Sequence, residues 1–301
     1  MGNIPVRLGR PSQLKSPEML IVDANNCEFG YELITVVPYV YFLHQKGTKV
    51  GVQTFLDMKP FYFFLNDDCF FPNRRETRDT ETKVNSESLE LMMKIGGHAT
   101  IINTELKDIH FSQLTAKKWK VPNYLKCYKN KELNTKFKNP LLFVSNKYTK
   151  EWGQPPINYL SLDFLKNIFD VYSKKYDLIY SRPLSTNMTE DGHQSSLDFG
   201  DYELVKNYNN VFDINVILQN ENYTFNELQL ILLSKSINKI SVQGGTSIVS
   251  SLTGGNNFIF AKQGSELECN SYSWYNRFSG AKVYNYQDEN KLLSRIETEI
   301  V

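Results

Sequence analysis

Short apolar runs alternate with longer amphipathic stretches along this chain. "MLIV" at residues 19–22 reads as a strand ending in Asp23 and an Asn-rich turn at Asn25 and Asn26. Leu33, Val36, Val37, Val40, Tyr41 and Phe42 then recur near the 3.6-residue period and predict a helix. Pro38 is expected to kink that helix and Gly47 to close it. "KVGVQTF" is the next strand, which completes a strand–helix–strand unit, the building block of a parallel sheet.

An aromatic-dense run follows from Lys59 to Phe71, then the charged, non-periodic "PNRRETRDTETKVNSES", which reads as a surface loop. "LELMMKIGGHATIINTEL" predicts a helix, a Gly-Gly stop and a strand, and the basic stretch from Thr115 to Pro140 predicts a hinge between domains. A second alternating series begins with the strand "LLFVSNK" and the amphipathic helix "LSLDFLKNIFDVYSKKY", for which Ser161 is a possible N-cap. The strand "DLIYSRP", the segments "DYELVKNY" and "YTFNELQLILLSKS", the strands "KISV" and "FIFAK", and a terminal helix "DENKLLSRIETEIV" complete it. No repeat of solenoid length occurs. The 301 residues suit two α/β domains of roughly 150 residues each.

The richest chemistry lies in "NKISVQGGTSIVSSLTGGNNFIFAKQGSELE". Gln243, Gly244, Gly245, Thr246 and Ser247 stand where a strand turns into a helix, and Gly254 and Gly255 where that helix stops. A glycine lets backbone approach a ligand closely, and the unpaired amides of a first helical turn attract an anion. Thr246 or Ser247 can cap the helix or donate to a phosphate oxygen. Tight packing of helix on sheet is the rival reading of the same residues. "QGSELE" places Glu266 and Glu268 at the carboxyl end of the neighbouring strand, the edge where open α/β sheets bind ligands.

Charge narrows the partners. There are 34 basic and 33 acidic side chains, a net charge of +1, which argues against a dedicated nucleic-acid binder or an anionic-membrane binder. No apolar run approaches the length of a membrane span, so a cytoplasmic protein with no membrane insertion is expected. Cys27, Cys69, Cys127 and Cys269 are scattered and read as reduced, metal-free thiols, and His44, His98, His110 and His193 lack metal-ligand spacing. Asp67-Asp68 after an apolar run is either a turn or a divalent-metal motif, and its distance in sequence from the glycine cluster favours the turn.

The carboxyl-terminal stretch resembles the corresponding motif of glycosyltransferases from large DNA viruses and bacterial polysaccharide clusters. "SRPLSTNMTEDGHQSSLDFGDYELV", "FNELQLILLSKS" and "EFGYELITVVPYVYFLHQKG" are also similar to that group. The resemblance implies two Rossmann-like domains facing each other across a cleft (the GT-B type). Residues 1–135 would be the acceptor domain and residues 136–301 the nucleotide-sugar domain. It implies that Gly244, Gly245, Thr246 and Ser247 face the donor phosphates with Gln243 beside them, and that Glu266 sits near ribose or sugar. Asn146, Lys147 and Arg182, at the ends of the two first strands of the second half, would complete the donor site, the two cations neutralising the leaving diphosphate. Glu28 and Asp23 are the candidate bases for the acceptor hydroxyl. The expected activity is metal-independent transfer of a sugar from a UDP- or GDP-sugar to a hydroxyl of an oligosaccharide, without a resident cofactor, in host cytoplasm if the chain is viral. A sugar-nucleotide epimerase and a non-catalytic nucleotide- or glycan-binding module are the alternatives.

Overall fold

The apolar runs are divided between two sheets. The computed structural model describes residues 19–24, 27, 29–73, 100–102, 119–150, 154–182 and 197–300. In the first sheet β1 (Leu20–Asp23), β2 (Val50–Phe55) and β3 (Phe70–Asn73) are parallel in the order β3-β2-β1, and β4 (Thr100–Ile102) joins β1 antiparallel. Helix α1 (residues 29–45) connects β1 to β2. Its segment Glu32–Val36 is π-helical. Pro38 has no N–H to give to the carbonyl four residues back, and the turn before it widens. That wide turn carries Glu32 into the interior, where Thr54 Oγ1 and Tyr62 OH donate to its Oε1 at 2.8 and 2.9 Å.

The second sheet contains β5 (Leu141–Ser145), β6 (Asp177–Ser181), β7 (Val211–Asp213), β8 (Asn238–Val242), β9 (Asn256–Phe260) and β10 (Lys282–Tyr286). All are parallel, in the spatial order β7-β6-β5-β8-β9-β10. The chain builds outward from β5 to β7, returns to lay β8 beside β5, and then builds the other way. The order therefore reverses between β5 and β8, and open α/β sheets bind ligands outside the carboxyl ends of the strands at such a point.

The helices of the second half are α3 (Leu162–Tyr172), α4 (Asp201–Lys206), α5 (Ile214–Gln219), α6 (Phe225–Lys235), α7 (Gly245–Ser251), α8 (Ser265–Glu268), α9 (Asn276–Ser279) and α10 (Glu289–Glu299); α2 (Tyr124–Tyr128) precedes β5. Ser161 caps α3 as expected, accepting from Phe164 N at 3.1 Å. Helices α3, α4 and α10 cover one face of the sheet through Leu142, Val144, Tyr180, Ile240 and Phe258. Helices α5, α6 and α7 cover the other face, and their apolar cluster continues into Val22, Leu33, Val52 and Phe61 of the first half. Nearly every residue of α6 from Phe225 to Ser234 is buried, as a helix sandwiched between two layers requires. Asn226 Nδ2 donates across to Asp57 O at 3.1 Å. Within the stretch expected to be a hinge, α2 is anchored to the first half, because the buried hydroxyls of Tyr124 and Tyr128 find acceptors in Phe61 O and Pro60 O at 3.0 and 2.7 Å. Among the described residues, no helix is long and apolar enough to cross a membrane.

Candidate functional site

Three strand ends meet at Gln243. Asn146 follows β5 and is buried, with Oδ1 accepting from the N–H groups of Lys147 and Leu160, both at 2.9 Å. This clamp fixes where Lys147 leaves the strand. Lys147 Nζ donates to Gln243 Oε1 at 2.9 Å, and Gln243 Nε2 donates to Glu266 Oε2 at 2.6 Å. An ammonium only donates and a carboxylate only accepts, so the amide of Gln243 is oriented by its two charged neighbours. Asn158 Nδ2 also reaches Gln243 Oε1, at 3.3 Å, while Asn158 Oδ1 accepts from Lys262 N and Gln263 N at 2.8 and 3.0 Å. The ends of β5, β8 and β9 are thereby laced together at the reversal of strand order.

The glycine pair does two different jobs. Gly244 has φ 102° and ψ −154°, a conformation open to glycine and strained for other residues. A Cβ placed on it would stand 3.5 Å from Lys147 Nζ, so the lysine head lies against this stretch of backbone. A Cβ on Gly245 would stand 2.5 Å from Phe29 Cδ1. Phe29 opens α1, so the first turns of α1 and α7 touch, and the carboxyl edges of the two sheets are brought together. The hydroxyls of Thr246 and Ser247 are turned into their own backbone, donating to Val242 O and Gly244 O, both at 2.8 Å. The ladder of α7 starts with Ser247 N and Ile248 N on Gly244 O, at 3.1 and 3.4 Å, which leaves the N–H groups of Gly245 and Thr246 outside it.

Arg182 lies elsewhere in the same network. Its Nε and Nη2 bind Asp201 Oδ2 and Oδ1, and its guanidinium lies 4.5 Å from the centroid of the Tyr202 ring. Burial works against its charge, but the bonds to Asp201 outweigh that and hold Arg182 above its ordinary value. Tyr180 OH also donates to Asp201, at 2.5 Å, and accepts from Asn146 Nδ2 at 3.3 Å. Burial first, and the Asp201 charge second, push the Tyr180 phenol well above its usual range. The structure thus brings Lys147, Gly244 and Glu266 together around Gln243, with Asn146 holding the backbone at Lys147, and sets Arg182 behind them, joined to Asn146 through Asp201 and Tyr180.

Asp23 is partly exposed at the end of β1, in register with Gln53 and Thr100. Glu28, Asn25, Asn26, His98, His110 and His193 lie outside the described residues. Asp67 and Asp68 form a short 3-10 turn in which Asp67 pairs with Lys59 at 2.7 Å; among the described residues no group of three His, Cys, Asp or Glu is placed to hold a metal. Sequence reasoning missed Asn158, whose only signal is a polar residue inside "INYL" just ahead of a helix cap. Glu32, which the sequence places inside α1 and apart from the candidate bases Asp23 and Glu28, lies buried with its carboxylate held by Thr54 and Tyr62. The chain matches no protein-family model, no curated protein and no solved structure, and the site stands on its own geometry.

Proposed function

We propose that the chain is a glycosyltransferase built from two Rossmann-like domains of the GT-B type, taking a nucleoside-diphosphate sugar as donor and a glycan hydroxyl as acceptor. One observation carries this reading: at the strand reversal between β5 and β8, the Lys147 ammonium lies against the backbone of a positive-φ glycine, and Gln243 links it to the carboxylate of Glu266. A cation, approachable backbone and a carboxylate within one hydrogen-bonded unit suit a diphosphate joined to hydroxyl-bearing rings.

In this reading Lys147 and the N–H groups of Gly245 and Thr246 meet the charge that builds on the diphosphate as its bond to the anomeric carbon breaks, without a metal. Glu266 accepts from a hydroxyl of the ribose or donor sugar. The acceptor oxygen forms the new bond to the anomeric carbon, and its proton passes to a carboxylate of the first half. Asp23 is the described choice for that base, because it ends the strand that leads into Phe29 and the contact with Gly245. Arg182 acts through Asp201 and Tyr180 as support rather than as a phosphate contact.

The test is incubation of purified protein with labelled UDP- and GDP-sugars, with and without a panel of glycan acceptors. Acceptor-dependent release of nucleoside diphosphate, lost in Lys147→Ala, supports the proposal. A new sugar nucleotide formed without acceptor points to epimerisation instead. Diphosphate binding with no turnover on any acceptor points to a binding module.

A further inference from the structure

Two of the segments that hold Gln243 also deliver an aromatic ring one residue further on. Lys147 and Asn158 both donate to Gln243 Oε1, and the residues that follow them, Tyr148 and Tyr159, meet in one cluster with Phe199. Tyr148 and Phe199 are stacked, with centroids 4.2 Å apart and planes at 23°. Tyr159 stands edge-on to both, at 4.8 and 5.4 Å. All three rings are partly exposed, and Tyr148 and Tyr159 belong to neither apolar core.

The trio is also held in place. Leu197 N donates to Tyr148 O at 3.1 Å, which ties the segment carrying Phe199 to the segment after β5. Phe199 is followed by Gly200, at φ 76°, and by Asp201, whose carboxylate is gripped by Arg182. Partly exposed aromatic rings on a fixed frame, with Phe199 packed against the second apolar cluster, make a stacking surface whose ordering cost is already met. Lys147 and Tyr148 are consecutive and consecutive Cα atoms are about 3.8 Å apart, so ring and ammonium stand no more than roughly 10 Å from each other. A ribose and one phosphate bridge a comparable gap between a base and a terminal phosphate.

We infer that Tyr148, Tyr159 and Phe199 form the seat of the nucleobase, beside the diphosphate site at Lys147 and Gly244. This rests on the diphosphate reading above. The flat face of a base extends the Tyr148–Phe199 stack, and stacking tolerates any base, so the seat alone does not select between uracil and guanine.

Calorimetric titration with pyrophosphate, UDP, GDP and glucose 1-phosphate tests it, on the wild type, Tyr159→Ala, Phe199→Leu and Phe199→Tyr. The wild type should bind a nucleoside diphosphate more tightly than pyrophosphate. Tyr159→Ala and Phe199→Leu should each lose roughly 5- to 150-fold of that affinity. Phe199→Tyr should retain it, and pyrophosphate affinity should not move in any variant. Equal losses on pyrophosphate and nucleotide make the trio scaffold and overturn the inference, as does a nucleotide affinity unchanged in every variant. A loss confined to glucose 1-phosphate gives the rings to the sugar instead. A wild type that binds neither pyrophosphate nor nucleotide overturns the diphosphate reading itself, and this one with it.

Discussion

Arg182 and Asp201 form a buried two-point ion pair, with Nε 2.5 Å from Oδ2 and Nη2 2.8 Å from Oδ1, at 3% and 0% exposure. Arg182 stands at the end of β6 and Asp201 in the first turn of α4, so the pair pins that helix and the segment before it to the sheet. Removing one partner leaves the other charged and desolvated without that counter-charge, which typically costs about 3–5 kcal/mol. Asp201→Asn is expected to lower stability by that order in a denaturant titration. Arg182→Met combined with Asp201→Leu should lose clearly less, because no charge is stranded. A double variant as unstable as the single one would contradict this.

The Cα of Gly245 is pressed against the Phe29 ring. Its missing Cβ would overlap Phe29 Cδ1 at 2.5 Å, and Phe29 is 1% exposed. Gly245→Ala should therefore destabilise the contact between α1 and α7 by about 1–3 kcal/mol, the usual cost of overpacking. The signature is coupling: in a Phe29→Ala background the same substitution should cost markedly less, as read by a double-mutant cycle on thermal unfolding. Additive losses would mean that the ring moves aside freely.

The contrast between Gly244 and Gly245 shows what the amino-acid pattern reveals and what it hides. Apolar runs announce the central strands, because a strand buried on both faces must be apolar almost throughout; β5 and β6 are buried at every position. The cap at Ser161 and the distortion ahead of Pro38 are local chemistry and equally legible. The edges are not: β7 spans only Val211–Asp213, and no residue of β10 is fully buried, so no apolar run marks it. Which glycine faces a lysine and which faces a phenylalanine depends on residues 97 and 216 positions away, and no local pattern carries that. The same holds for Arg182, whose partner Asp201 lies across a long connection, and for Asn158, visible only once Gln243 is in place.

Lys239 gives a pH-dependent prediction. It is fully buried in β8, with Nζ donating to Gly254 O just past α7, and burial pushes its ammonium down to about 7 from 10.5. Below pH 7 the side chain is protonated in both folded and unfolded chains, and the whole cost of burying the charge is present. Between pH 7 and 10.5 the unfolded chain holds the extra proton, so stability rises with pH by at most about 1.4 kcal/mol per unit. Cys69, Cys127 and the buried tyrosines have raised values and act in the opposite sense at the alkaline end. Their effect cancels in a difference between variants. The stability of wild type minus that of Lys239→Met, measured by denaturant unfolding from pH 6.5 to 9, should therefore climb with pH. Two parallel profiles would show that Lys239 keeps its proton throughout this range.

Lys147 and Glu266 occupy the two ends of one hydrogen-bonded unit, and substitutions at the two ends should separate the parts of a bound nucleotide. Lys147→Ala removes a charge-assisted contact worth about 1.5–3 kcal/mol, so pyrophosphate and nucleoside diphosphate should both weaken by roughly 10- to 150-fold. Glu266→Gln keeps the size of the side chain and still offers an oxygen to Gln243 Nε2, so the frame is preserved. It removes a negative charge close to the diphosphate and weakens the acceptor offered to a sugar hydroxyl. Pyrophosphate should then bind a few-fold more tightly at low salt, where like charges repel most, while UDP or GDP weakens by about 10-fold. Opposite movements of the two ligands in one variant cannot come from loss of fold. If both ligands weaken together in Glu266→Gln, the carboxylate only buttresses Gln243, and the sugar side of the site must be sought on the facing edge, near Asp23.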